Sequence, residues 1–578
     1  MGYSASRDLY WKELIGSDVY LLLEVRFAGR VWRWSTAPIS ISDSAGELRQ
    51  FGGGLNELEY STVLQTLADA PDQASLSLDL IWPEDVALLI AQGHDMSAGT
   101  GEVSAIVEGK LWSDRQVLLS GSIRQPEYGA AGEPVSFTVE EAPFQDAGSW
   151  PHQSEKVDAT TWPTHQLGEE GLPYVQVFGR PGVYRTEEGA QVYANGSRAM
   201  VVETDPSDNT LASTLLIAGH PVISPTVRIY YMGADGWSPD EGLIDFDGFG
   251  SIDYEAPVEF VPDGLGHYCS VVRIDTVVRD EIRRSAQFFV RWQGAGAGLN
   301  GSLWSDNESV DGMGSLLNYV LRQSTLRVDR GRFAAAKMRL NAWSVSGYVD
   351  EFVQPWEWIA DNLLGLAPIS VHSGRSGLYP VFWRYDAQRY DAVDHIERAS
   401  GIERSSNIEY QSDLSEIYNS VQLQYAHDIT GSEFKRAVSL APSRDPDNPA
   451  QSVSEFSQRS GLLYGETRAL EMQSNVITED ATANKTISWQ VMAQGFSHRS
   501  VTYTLDQEYY ALDLGDIVTL TDAEVHLDNE VCLVQGMALT DTGKITLTLQ
   551  VVSNPAKIAR TTGPAPDQGP ADPGDYNQ

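Results

Sequence analysis

The stretch from 464 to 522 opens with YGETRALEM (464–472), runs through a threonine- and alanine-rich middle, and closes with ALDLGDIVTLTD (511–522). Its last twelve residues have the pattern of strand, tight turn, strand. Leu512 and Leu514 alternate with polar residues, and Gly515-Asp516 can take the positive φ that a hairpin turn demands. Ile517, Val518 and Leu520 then resume a β-branched or apolar run. A β-barrel corner is the expectation.

The chain around this corner has 578 residues, too many for one core; at roughly 150 residues per domain it suggests about four units. Asp plus Glu number 80 against 40 Lys plus Arg, a net charge of −40. Such a field repels phosphate, so tight sequence-independent DNA binding is not expected, whereas a wall past which DNA slides without sticking fits it. Cys269 and Cys532 are the only cysteines and form no zinc or iron–sulfur pattern, so two buried thiols are expected. The start, MGYSASRDLYWKEL, has no long apolar run, and Val19 to Val25 is interrupted by Glu24. Neither a signal peptide nor a membrane span is expected.

The pattern divides the chain into a mainly β, multidomain architecture with a smaller α/β part. Residues 1–147 read as an N-terminal β domain whose first hairpin turns at Ala28-Gly29, with a short helix opened by Pro83. Residues 148–171 are a Pro-, Trp- and His-containing linker or wrapped loop. Residues 172–300 form an inserted β-rich domain, punctuated by Gly and Pro at the spacing of a sandwich or small barrel. Helical signals gather in a mixed α/β domain, 311–405. Leu316, Tyr319 and Val320 share a spacing there, Pro355 opens a helix, and Ile359, Leu363 and Leu366 form a stripe. Strands return in 406–553, a C-terminal β-barrel domain, and 554–578 is too poor in apolar residues to fold.

Signatures of catalysis are absent: no phosphate-binding loop, no zinc helix, no nucleophile elbow. The best metal candidate is DFDGFGSID, where Asp245, Asp247 and Asp253 flank two glycines, although an acidic turn between strands explains it more simply. Glu357 and Asp361 read as a solvated helix face, and His220 and His427 as structural histidines in strands. The 15 tryptophans suit interfaces, or a face that stacks sugars. No catalytic residue and no cofactor are expected.

The segments EIYNSVQLQYAHD (416–428), SVSEFSQRSGLLYGETRALEMQSNVITEDATANK (452–485) and YYALDLGDIVTLTD (509–522) resemble the carboxy-terminal half of the tail hub proteins of long-tailed bacteriophages and gene transfer agents. That family has an Asn-ending strand, a Tyr-Gly step, an Ala-rich helix and a Leu-Gly-Asp hairpin. Here they fall at Asn419, Tyr464-Gly465, Ala481 to Ala483, and Leu514-Gly515-Asp516. The stretch 328–382, with Asp329, Phe333 and Gly377, is similar to the family's helical middle. The likeness covers roughly 172–552, while the first 150 residues match only in β-barrel character. The cysteine cluster of some gene transfer agent relatives has no counterpart here, so no redox role carries over.

The resemblance implies two tail-tube-like β-barrel domains per subunit, with β and α/β domains inserted between them. It implies a homotrimer at the tail tip, a ring of six similar units joining a sixfold tail tube or distal tail protein to threefold tip, fibre or peptidase components. The tape measure protein is a further expected partner, and DNA passes only in transit, repelled by acidic walls. The protein would be made in the host bacterial cytoplasm. Two other readings are a tail-associated carbohydrate binder or depolymerase, and a hexameric distal tail adaptor.

Overall fold

The computed structural model describes residues 19–552 except 64–74, 81–83, 129–134, 141–147, 180, 186–190, 195, 208–211, 223–225, 233–243, 246–255, 264–267, 274–286, 292–309, 325, 327, 375–376, 386, 399–402, 405–408, 411–416, 429–432, 444–450, 507–508, 510–511 and 540–543. The fold is mainly β and multidomain. The amino-terminal block contains β1 (Val19–Phe27), β2 (Arg30–Ser35), β3 (Ile39–Ser42), β4 (Leu48–Gly53), β5 (Leu55–Val63), β6 (Ser75–Leu80), helix α1 (Glu84–Ala91), β7 (Thr100–Val107), β8 (Gln116–Tyr128) and β9 (Val135–Glu140). As expected, β1 and β2 turn at Ala28 and Gly29, whose φ values of 50° and 73° suit a two-residue hairpin.

β1 is apolar on both faces because both are covered. Leu21, Leu23 and Val25 enter the main core, whereas Leu22 meets Ile41, Phe51, Ile106 and Trp112 on the opposite side. Glu24, which interrupts the run, is buried and pairs with Arg33 at 2.6 Å. Strand order is β5-β6-β9-β8-β7-β1-β2-β4-β3. Laid flat, the seven steps from β4 to β5 would span about 34 Å at about 4.8 Å each. Yet Gly54 alone joins these strands, a reach of at most about 7.6 Å. The sheet therefore curls until its ends approach, as an open barrel.

The central block contains β10 (Gln176–Phe178), β11 (Gly182–Arg185), β12 (Gln191–Ala194), β13 (Ser197–Thr204), β14 (Ala212–Ala218), β15 (Thr226–Met232), β16 (Ile244–Asp245), β17 (Ala256–Pro262), β18 (Tyr268–Arg273) and β19 (Gln287–Arg291). Pairing runs β13-β14-β18-β17-β15-β19 and returns to β13, a closed ring around a core that includes Met200, Leu215 and Val271. The segment that precedes it is stitched down at two places. Trp150 exchanges backbone hydrogen bonds with Val353 at 2.9 and 3.0 Å, and Val157 and Trp162 pack into the ring's core.

Next come α2 (Met313–Gln323), α3 (Arg330–Leu340), β20 (Gly347–Val349), α4 (Pro355–Asn362), β21 (Ile369–Gly374) and β22 (Gly377–Phe382). Asp329 caps α3 by accepting from the Arg332 N–H, and Pro355 sits in the first turn of α4 as expected. Leu363 and Leu366 do not continue the α4 stripe. The helix stops at Asn362, the chain turns through Gly365, and both leucines reach the core from that turn.

The carboxy-terminal block holds β23 (Asp394–Glu397), β24 (Glu403–Arg404), β25 (Glu409–Tyr410), β26 (Ser420–Asp428), β27 (Glu433–Ala441), β28 (Gln451–Val453), α5 (Glu455–Tyr464), β29 (Ala469–Gln473), α6 (Asp480–Gln494), β30 (Arg499–Leu505), β31 (Ile517–Asp522), β32 (Leu527–Leu539) and β33 (Ile545–Val551). α5 falls where strands were expected, because its buried positions are Ser457 and Ser460 and only Phe456 beside them packs on the core, which leaves no apolar period to read. Thr486 of α6 donates to the Leu366 carbonyl at 2.8 Å, and Gln490 donates to that of Gly365, closing the turn after α4.

Strand β32 joins the two ends of the chain. One of its edges pairs along β33; the other is shared, with Glu530 to Leu533 on β31 and Gly536 to Leu539 on Tyr60 to Val63 of β5. The result is one 16-stranded sheet. A single core lies against it, drawing on Leu23 and Phe137 from one block and on Trp489, Tyr503 and Leu549 from the other. Leu23→Ala and Leu549→Ala, both at fully buried sites, should each cost about 2–5 kcal/mol. Both should lower the same calorimetric transition; separate transitions, each moved by only one substitution, would show that the blocks fold independently.

Candidate functional site

Six of the residues that carry the family resemblance, Asn419, Tyr464, Gly465, Leu514, Gly515 and Asp516, fall at two structural joints. In the first, Asn419 does not end a strand; it lies just before β26, buried, because its side chain is occupied in holding the chain after α5. Its Nδ2 donates to the Glu466 carbonyl at 2.9 Å, and its Oδ1 accepts from the Arg468 N–H at 3.0 Å. Gly465 ends α5 in the left-handed conformation. The Tyr464 hydroxyl accepts from the Ser497 N–H at 3.0 Å, and Ser460 donates to the Gly495 carbonyl at 2.5 Å. Asn419, Tyr464 and Gly465 thus bind together α5, the start of β26 and the exit of α6.

The second joint is the turn Leu514-Gly515-Asp516. Among the described residues the expected strand before it is absent: Leu512 and Leu514 are buried, but 512–514 form no ladder, and Ile517 begins the strand. Gly515 has φ of 85°, as the turn was expected to need. Its N–H donates to the Val534 carbonyl at 2.8 Å, and Asp516 Oδ2 accepts from the Asp513 N–H at 2.8 Å. A Cβ at position 515 would stand 2.2 Å from Val381 Cγ1, so glycine is required by packing as well as by backbone conformation. Arg332 completes the joint. It pairs with Asp513, lies 4.4 Å above the Tyr379 ring, and locks α3 and β22 to the turn. The sequence pattern marked the glycine but not Arg332, whose partner is 181 residues away.

Asp522 closes β31 in a fully buried position, between Arg398 and Arg404, each at 3.5 Å. Burial pushes its carboxyl up, but the Tyr503 hydroxyl at 2.8 Å, the Glu524 N–H at 3.0 Å and the two guanidiniums outweigh that and hold it below the usual carboxylate range. No local pattern revealed this group, since its partners lie on three other strands or loops.

The remaining candidates that the structure describes do not converge. Asp245 lies in β16 with its backbone opposite Tyr230, while Asp247 and Asp253 lie outside the described residues. Among the described residues no group of three or more His, Cys, Asp or Glu is placed to hold a metal ion, and no helix is long and apolar enough to cross a membrane. Glu357 and Asp361 are both exposed, as a solvated face requires. His220 is not in a strand; its Nε2 accepts from the Val177 N–H at 3.1 Å and its Nδ1 faces the Pro221 carbonyl. Burial pushes its imidazole down to about 4, which keeps it neutral. Cys269 and Cys532 are free and buried, as expected, and burial pushes both thiols up.

No protein family model and no curated protein matches the chain. Among solved structures, it is similar to the tail protein from Neisseria meningitidis MC58, at 10% identity over 92% of this chain and 96% of that one, with a TM-score of 0.35. It is also similar to the 43 kDa tail protein of prophage MuSo2 from Shewanella oneidensis, at 9% identity over 93% and 99%, TM-score 0.31. A chain of the native gene transfer agent virion matches at 14% identity over 67% and 85%, TM-score 0.36. Scores of this size do not establish a shared fold.

Gly515→Ala should destabilise the protein by about 2–4 kcal/mol, part from the backbone and part from the Val381 clash. In chemical denaturation Gly515→Ala with Val381→Ala should cost less than the two single changes summed; strict additivity would mean that the contact is not the cause. Asp522 has a depressed folded-state pKa, so its stabilisation is complete above about pH 4 and is lost as pH falls through the folded value. Asp522→Asn should therefore cost about 3 kcal/mol at pH 7. The deficit should shrink at pH 3 in urea titrations, and one that holds constant with pH would contradict the assignment.

Proposed function

We propose that this chain is a noncatalytic structural component of a phage-type tail, a trimeric hub at its distal end. The observation that carries the reading is the joint between β5 and β32. It fixes two β blocks of one chain edge to edge over one core, as neighbouring units of a ring must stand, so three chains supply six units. The order of the Asn419, Tyr464-Gly465 and Leu514-Gly515-Asp516 motifs along the chain supports the same family. The joints that these residues build are tied by several side-chain to backbone hydrogen bonds, which suits a part that transmits load.

In this role the ring seats a sixfold tail tube or distal tail protein on one side and threefold tip, fibre or peptidase components on the other, with the tape measure protein ending at its channel. Three chains bring a charge of −120, and acid facing the lumen would let DNA pass without adhering. A hexameric adaptor is disfavoured because each chain already contains two β blocks. Imaging of intact particles carrying a tag on this protein should find three copies on the tail axis at its distal end. Six copies, or a position off the axis, would overturn the proposal.

A further inference from the structure

A cavity of about 280 Å³ opens between β20, α4, the end of β26 and the turn at Asn475-Val476, and the hub role makes no use of it. Its floor is Phe178, packed so closely over Gly347 that a Cβ there would stand 2.9 Å from the ring. Trp358 forms a wall. The ring is fixed edge-on between Trp150, at 5.0 Å and 74°, and Phe178, at 5.7 Å and 81°, so it is preorganised.

The polar groups come from separate elements. Asn362 ends α4 and spends its Nδ2 on the Trp358 carbonyl at 3.0 Å, which leaves Oδ1 as its remaining acceptor. His427 follows Ala426, whose φ of 56° is left-handed and whose N–H donates to the Ile477 carbonyl at 3.0 Å. Asn475 is exposed at the rim. Of the two carboxylates, Asp350 is already compensated by Arg198 at 3.6 Å, and Glu351 is exposed to solvent, where it offers a cation little.

An aromatic wall surrounded by amides, an imidazole and two carboxylates, one paired and the other solvated, suits a neutral ligand bearing several hydroxyls. The volume is at the small end of ligand sites, room for one ring. We infer that this cavity binds a saccharide through a single pyranose unit, against Trp358 and with hydroxyls on Asn362, Asn475 and the two acids. The inference is independent of the particle's stoichiometry.

Saturation-transfer NMR on the full chain with glucose, galactose, rhamnose and N-acetylglucosamine tests it. At least one should bind with millimolar affinity, and Asn475→Ala and Glu351→Ala should each weaken that binding about fivefold. Both residues are exposed, so the melting temperature should not move. A capsular oligosaccharide containing the same sugar should bind at least as tightly if the natural source is a polymer, and less tightly if it is the free sugar; either supports the site. No transfer from any of the four at about 50 mM, binding that survives both substitutions, or preferential binding of tetramethylammonium would overturn the inference.

Discussion

The rest of the structure depends on four residue pairs between β5 and β32. Without them the amino-terminal sheet would present β5 as a bare edge, and the shared core would lose its continuity. With them, residues more than 400 apart in sequence become adjacent strands. Everything between, the central ring and the helical middle, is then an excursion from one sheet that leaves after β9 and returns at β23. The arrangement concentrates stiffness in the sheet and variety in the excursion.

Two classes of joint brace that sheet. Apolar packing supplies most of the area, as in the core shared by Leu23, Trp489 and Leu549. Direction and register come from a few polar groups that are costly to bury and are satisfied individually: Asn419 on the 466–468 backbone, Arg332 on Asp513, and Asp522 between two arginines. These groups lie where elements change partners. Among the described residues, the buried acids Glu24, Glu169 and Asp522 each lie against an arginine.

What could be read from the sequence was local. The Ala28-Gly29 turn, the start of α4 and the backbone need at Gly515 each depend on neighbours within a few residues, and all are present. Longer-range features were hidden for physical reasons. A helix such as α5, whose buried positions are Ser457 and Ser460 and whose exposed face carries Leu462, has no apolar period to detect. The clash that fixes Gly515 involves Val381, and the cavity assembles residues from 178 to 476, distances at which no pattern in one sequence speaks. Leu512 and Leu514 alternate like a strand, yet they are buried outside any ladder, so tertiary packing overrode the local preference there.

The split occupancy of β32 has a consequence for synthesis. Val63 leaves the ribosome about 470 residues before Gly536, an interval of roughly 25–95 s at about 5–20 residues per second. Throughout that interval the nascent amino-terminal sheet waits with one edge of β5 unmatched, and a neighbouring copy whose own β5 has not yet docked on its β32 offers the same four-residue seat. Domain exchange between copies is therefore the natural error of this chain and also a ready route for tying copies together. Which outcome prevails is set by how crowded the nascent chains are as they emerge.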